Sequence, residues 1–94
     1  MADEPYYIYV LHCADGSLYC GSTDNVMRRL HAHQTFKGAK YTRVKSRHPL
    51  QLIFHQRFDN KHDALSAEYH FKHQSRIKKL RYLREHGVDI EGLQ

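Results

Sequence analysis

At 94 residues the chain has room for one small domain and no second core, and no stretch is long or apolar enough to span a bilayer. A hydrophobic share of 40% is ordinary for a globular protein, which argues against disorder, and the acidic start Met1-Ala2-Asp3-Glu4-Pro5 is unlike a signal peptide. With 15 Lys+Arg against 10 Asp+Glu the formal charge is +5, so the surface favours polyanions, nucleic acid before anionic membrane.

The aromatic and branched run from Tyr6 to His12 predicts a first strand. Cys13-Ala14-Asp15-Gly16 supplies turn chemistry, with Gly16 free to take a positive φ, and Ser17 to Gly21 returns as a second strand. A register that pairs Leu11 with Tyr19 makes Tyr9 and Tyr19 diagonal neighbours on one face; a slip of one residue separates them. Cys13 and Cys20 are too few for a disulfide framework and lack zinc-ribbon spacing, so they read as small apolar residues of a reduced, cytoplasmic protein.

Ser22, Thr23 and Asp24 are candidate caps for a helix running to about Gln34, with Val26 and Leu30 as its buried stripe. Arg29 and His33, four apart, share a neighbouring face. Lys37 to Pro49 reads as a long basic loop and Leu50 to Phe58 as a third strand. Asn60 and Asp63 suit the start of a second helix, whose inward stripe is Ala64, Leu65 and Phe71. A third helix runs from about Ser75 to Glu85 on Ile77, Leu80 and Leu83, with Gly87 as its stop. The order β-β-α-β-α-α predicts an α+β fold: one antiparallel sheet with helices against it.

Glu68 is the chief physical anomaly, because it falls on the line between Ala64/Leu65 and Phe71 where an apolar side chain is expected. Such a carboxylate must lie at the rim, pair with a Lys or Arg, or hold a cation, and one carboxylate suits a Mg²⁺ that keeps most of its waters. Arg29 could clamp a phosphate oxygen or simply be a solvated helix arginine like Arg28. His33 could shuttle a proton or sit on the polar face. Tyr9 and Tyr19 could orient water or bond phosphate, a basic role requiring nearby positive charge because a free phenol has a pKa near 10.

Lys37, Lys40, Tyr41 and Arg43 combine cations with an aromatic, as tracking a nucleic-acid backbone and stacking on bases require. The Lys-Gly-Ala-Lys string lacks the spacing and ending of a P-loop. Arg76, Lys78, Lys79, Arg81 and Arg84 read as the polar face of the third helix, able to extend that track. The histidines do not form a zinc finger: His31 and His33 point to different sides of a helix. His12, His48, His55, His62, His70, His73 and His86 read as scattered surface or rim residues.

Tyr7-Ile8-Tyr9 and Tyr19-Cys20-Gly21, followed by Arg29, His33 and Glu68, resemble the GIY-YIG nuclease domain from about Tyr6 to about Leu83. The strings Cys-Ala-Asp-Gly-Ser-Leu-Tyr and Lys-Gly-Ala-Lys-Tyr-Thr-Arg resemble the small stand-alone bacterial members. The resemblance implies a three-stranded antiparallel sheet flanked by helices in one domain over residues 1–94, with a short C-terminal tail. It assigns Tyr9 as base or water activator, Tyr19 as positioner of the attack, Arg29 as stabiliser of the phosphate, and Glu68 as the carboxylate that holds Mg²⁺ or Mn²⁺. His33 matches a histidine of some members. Tyr7 replaces the first motif's glycine and Cys20 the second motif's isoleucine; neither position supplies a catalytic group.

The expected activity is metal-dependent hydrolysis of DNA phosphodiesters, with RNA open as a substrate. Without space for a separate DNA-binding domain, structure- or single-strand-selective cleavage, or a protein partner that supplies targeting, is expected over recognition of a long sequence. A non-cutting nucleic-acid-binding module of the same fold is the alternative, and a purely structural role ranks below both. Repair, recombination and DNA uptake all remain open as pathways.

Overall fold

Tyr9 decides the architecture, because its strand is the centre of the sheet. In the computed structural model, described over residues 4–93, strand β1 (Tyr6–Cys13) pairs antiparallel with β2 (Leu18–Thr23) on one side and β3 (Leu50–Phe58) on the other. The Asp15-Gly16 turn closes the first hairpin with Gly16 at φ +86°, where the Asp15 carboxylate accepts from the Ser17 amide at 3.0 Å. The register sets Leu11 opposite Tyr19 and Tyr9 opposite Gly21, the register that places the two tyrosines on one face. Between β1 and β3 the register shifts at Val10/Leu11, the mark of a bulge. Met1, Ala2 and Asp3 of the acidic start, and Gln94 of the tail, lie outside the described residues.

Helix α1 (Val26–Gln34) is capped by the Asn25 side chain, which accepts from the Arg28 amide at 3.0 Å. The cap is thus one residue beyond the Ser22-Thr23-Asp24 trio. Thr23 instead braces Asn25, its hydroxyl accepting from the Asn25 amide at 3.1 Å. Asn60 caps α2 (Lys61–Lys72) through the Asp63 amide, and Ser75 caps α3 (Arg76–Glu85) through the Lys78 amide. The basic segment after α1 is not a plain loop: it winds into two 3₁₀ turns, Lys40–Arg43 and Lys45–Arg47.

Period-2 alternation along β1 divides the core between the two sheet faces. Tyr9, Leu11 and Cys13 pack with Val26 and Leu30 of α1 and with Tyr41 of the first 3₁₀ turn. Val10 and Cys20 pack with Phe71 of α2 and Leu83 of α3. The expected stripes need two corrections: Leu65 is 43% exposed and Ile77 72% exposed. Both sit on short helices that already meet the sheet through Ala64, Phe71 and Leu83, so the flanking apolar positions turn outward. The C-terminal tail is part of the core, because Leu93 is buried beside Val88 and Ile90, and Arg76 donates to the Leu93 carbonyl at 2.6 Å. Arg76 therefore pins the tail as well as adding charge. Among the described residues no helix is long and apolar enough to cross a membrane.

Candidate active site

Two histidine nitrogens organise the buried half of the site. Tyr9 and His33 are both fully buried, at the middle of β1 and the last turn of α1. The Tyr9 hydroxyl lies 2.7 Å from His33 Nε2, and His33 Nδ1 lies 2.6 Å from Thr42 Oγ1. Thr42 in turn donates its one hydroxyl proton to the Ala39 carbonyl at 3.0 Å. With that proton on the Ala39 carbonyl, Thr42 accepts from His33, an assignment that puts the hydrogen on Nδ1. Burial, then the charges of Arg29 and His48, push His33 down to about 4, so the ring is neutral and Nε2 is an acceptor. Tyr9 O–H therefore donates to His33 and keeps its oxygen lone pairs for another donor. Burial also raises the Tyr9 hydroxyl well above the usual phenol range, against the opposing pull of the nearby Arg29 guanidinium.

Two buried glycines seal this chain. A Cβ on Gly21, the residue opposite Tyr9, would run into the Tyr9 hydroxyl, and a Cβ on Gly38 would run into the His33 ring. Both positions are fixed by close approach of backbone to ring, which gives the glycine of the Tyr-Cys-Gly string a physical reason.

Tyr19 forms the next tier, with its ring centroid 6.4 Å from Tyr9 and 5.3 Å from His33. Burial raises its hydroxyl; Lys72 and Arg29 oppose the shift and Glu68 adds to it. Tyr41 stacks on Tyr19 at 5.6 Å, and the Arg47 guanidinium sits 3.7 Å above the Tyr41 ring. Arg47 also donates to the Tyr41 carbonyl at 2.8 Å and to Asp15 at 3.2 Å, tying the basic segment to the hairpin turn. Tyr41 is thus a half-buried wall of the site, while Lys37, Lys40 and Arg43 are exposed around it. His48 is not a scattered surface residue: it bonds the Thr42 carbonyl at 2.7 Å and stacks on Phe36. Thr42, Gly38 and Arg47 were not singled out from the sequence. Only the membership of Gly38 and Thr42 in the Lys-Gly-Ala-Lys-Tyr-Thr-Arg string, and the nearness of Arg47 to it, could have pointed to them.

Arg29, one turn before His33, is half-buried and lines an open cleft of about 410 Å³ with Tyr6, Ser22 and Arg28. The Glu68 side chain on α2 is 14% exposed, and Lys72 Nζ lies 2.8 Å from its Oε2. This pair resolves the anomaly of a carboxylate on the inward line. Lys72 Nζ is also 5.7 Å from the Tyr19 ring centroid. Burial pulls the Lys72 ammonium down, but the hydrogen bond and charge of Glu68 outweigh it and raise it overall. Glu68 and Lys72 act on Cys20 as well, whose thiol is pushed up to about 12, by burial first. Tyr19 and Cys20 face opposite sides of β2, so the site wraps the β2 edge of the sheet.

Among the described residues no three His, Cys, Asp or Glu side chains gather as a metal cage. The donor present is the Glu68 carboxylate, with an ammonium already seated on it as a monovalent cation. That hard-oxygen donor fits Mg²⁺ or Mn²⁺ carried mostly by water and substrate phosphate, and does not fit zinc.

Taken with the fold, these residues set two tyrosines, a histidine, an arginine and an ion-paired carboxylate on one small α+β domain. The chain belongs to the GIY-YIG family: the GIY-YIG catalytic domain profile matches residues 5–81. The relatives it matches are small bacterial UPF0213 proteins. One from Limosilactobacillus reuteri is 67% identical over all of this chain and 98% of its own length; one from Lactiplantibacillus plantarum is 62% identical over 95% and 88%. Among solved structures, the solution structure of the UPF0213 protein of Bacillus halodurans is 41% identical with a TM-score of 0.60, covering 88% of this chain and 86% of that one. An E. faecalis protein is 41% identical with a TM-score of 0.62, covering 90% of each chain. The family is one of nucleases, so nuclease-type function and a nucleic-acid substrate follow from membership.

Proposed function

We propose that the protein is a divalent-metal-dependent endonuclease that hydrolyses DNA phosphodiesters, with single-stranded or branched DNA preferred over a defined sequence. The reading rests on one observation above all: a Tyr9–His33–Thr42 hydrogen-bond chain of fixed direction, beside Tyr19, Arg29 and Glu68. A water at the lone pair of Tyr9 that Arg29 leaves open can give its proton to the phenol oxygen while the phenol proton passes to His33 Nε2. The transient imidazolium, whose pKa is low, returns the proton through Tyr9 to the leaving oxygen as the phosphodiester bond breaks. Tyr9 then works as a neutral relay and never has to exist as free tyrosinate, which its raised pKa disfavours. Tyr19 positions the attack. Arg29 supplies the fixed positive charge that a phosphorane-like transition state needs. Bound at Glu68, Mg²⁺ or Mn²⁺ would supply Lewis-acid stabilisation of the phosphate oxygens.

Exposed Lys37, Lys40 and Arg43 guide the strand by its phosphates; Tyr41, stacked on Tyr19 with Arg47 over its ring, has its faces engaged within the protein and braces this segment instead of stacking on a base. Phosphate contacts of this kind carry no sequence information, which supports selectivity by shape and leaves RNA open; targeting would come from a protein partner. A reducing cytoplasm suits the two free buried cysteines.

The test is cleavage of labelled single-stranded, duplex and branched DNA and of single-stranded RNA, each with Mg²⁺, Mn²⁺ or EDTA, beside Glu68→Ala. Metal-dependent products reduced at least about 10²–10³-fold in the variant, with circular dichroism unchanged, are expected. Salt-sensitive binding without products on every substrate would instead identify a non-cutting module.

A further inference from the structure

Of the described ion-paired carboxylates, Glu68 is by far the least exposed. Its side chain is 14% exposed against 36% for Asp15, 59% for Asp24 and 85% for Asp59. Its partner Lys72 lies at the solvent edge, 44% exposed, with a flexible four-carbon stem. The ammonium therefore caps an inward carboxylate from outside, at the position where an arriving cation has to enter. The same Nζ already lies 5.7 Å from the Tyr19 ring centroid, so an aromatic face that accepts cations adjoins the pair.

We propose that Lys72 is the resident counter-cation of Glu68, which a divalent ion must displace and which the substrate phosphate draws away, so that metal loading is coupled to substrate binding. This deepens the nuclease reading and rests on Glu68 being the metal ligand. An ammonium and a divalent ion compete for the same carboxylate, and a metal seated on Glu68 beside an unmoved Lys72 suffers like-charge repulsion. A phosphodiester removes the conflict: its oxygens ligate the metal and accept from the displaced ammonium at once. In the absence of substrate the carboxylate stays neutralised and the metal stays weakly held. An ordinary i,i+4 helix pair has no such consequence, because its only effect is on helix stability.

The experiment is a Mn²⁺ titration followed by the electron paramagnetic resonance signal of the free ion. All proteins carry Tyr9→Phe to suppress turnover, and each is titrated with and without a single-stranded oligo(dT) probe. Without oligo(dT), Lys72→Met binds Mn²⁺ at least tenfold more tightly than the Lys72 parent, and Lys72→Arg, with its planar charge-paired fork, binds it more weakly. With oligo(dT), the parent gains affinity and the difference between parent and Lys72→Met narrows. Equal or weaker Mn²⁺ binding by Lys72→Met overturns the proposal, as does an unchanged difference with oligo(dT). Glu68→Gln separates the two levels of argument. If it binds Mn²⁺ like the parent, the nuclease reading of Glu68 falls too; if it loses Mn²⁺ while Lys72→Met changes nothing, only displacement by Lys72 falls.

Discussion

The two halves of the site are built on opposite principles. The wall of Tyr9, His33 and Thr42 is fully buried, each heteroatom is hydrogen-bonded, and two glycines lie against it. The rim of Arg29, Glu68 and Lys72 is partly open and its ion pair faces solvent. A proton path requires defined protonation states, which dry packing imposes. A charge-handling rim requires exchange with water, cation and phosphate, which dry packing would forbid. Mutations should therefore affect stability and turnover together on the wall, and turnover with little stability on the rim.

Tyr9→Phe should show the largest combined effect. It removes the relay oxygen, for which a loss of about 10²–10⁴-fold in turnover is expected. It also leaves His33 Nε2 buried without a donor, at a cost of about 1–3 kcal/mol. Urea midpoints of Tyr9→Phe and Glu68→Ala, measured beside turnover, check the contrast. Equal stability losses in the two variants would break it.

A second effect isolates His33. Its folded pKa of about 4 lies below the unfolded value of about 6.5, so the unfolded chain takes up the proton first as pH falls. The stability from neutral His33 is fully present above pH 6.5 and is lost as pH drops from there through 4. The expected loss is on the order of 3 kcal/mol between pH 7 and pH 4. Because carboxylates also titrate in that window, the measurement is the difference in pH slope between wild type and His33→Gln. The variant's slope should be shallower; identical slopes would mean that the wall does not hold His33 neutral.

The sequence read well wherever a local pattern carried the information. All three strands, the sheet and the starts of α2 and α3 were legible from alternation, turn and cap residues, whereas the sequence only permitted the Leu11–Tyr19 register that the sheet adopts. Glu68 was legible as a conflict between helical period and charge. The wall was less so. His33 stood open between a proton shuttle and a polar-face histidine, because helical spacing reports the neighbour along the helix, Arg29, and not a strand 24 residues away or a threonine nine residues on. Leu65 and Ile77 misled for the complementary reason: periodicity marks an apolar stripe but not how much of it a small sheet can cover. Tyr41 and Arg43, two apart in a basic string, differ in burial because Arg47 and Asp15 tie down the first and leave the second exposed.

Gly38→Ala gives the smallest and sharpest test of the wall. The added methyl enters the space of the His33 ring, whose two nitrogens are already held by Tyr9 and Thr42. The ring cannot retreat without losing one bond, so the 3₁₀ turn Lys40–Arg43 must move outward and stretch the Thr42 contact. A stability loss of about 1–3 kcal/mol is expected. Gly92→Ala is the control: a Cβ there meets no neighbour within 4 Å, and its change should stay within about 0.5 kcal/mol. Nitrogen-15 shifts of His33 read the mechanism directly, because a weakened Nδ1–H to Thr42 bond lets the other tautomer appear. With Nε2 protonated, Tyr9 could no longer donate to it and the relay would run backwards. A Gly38→Ala protein that is destabilised yet keeps the Nδ1–H tautomer would show that Tyr9, and not Thr42, sets the direction of the chain.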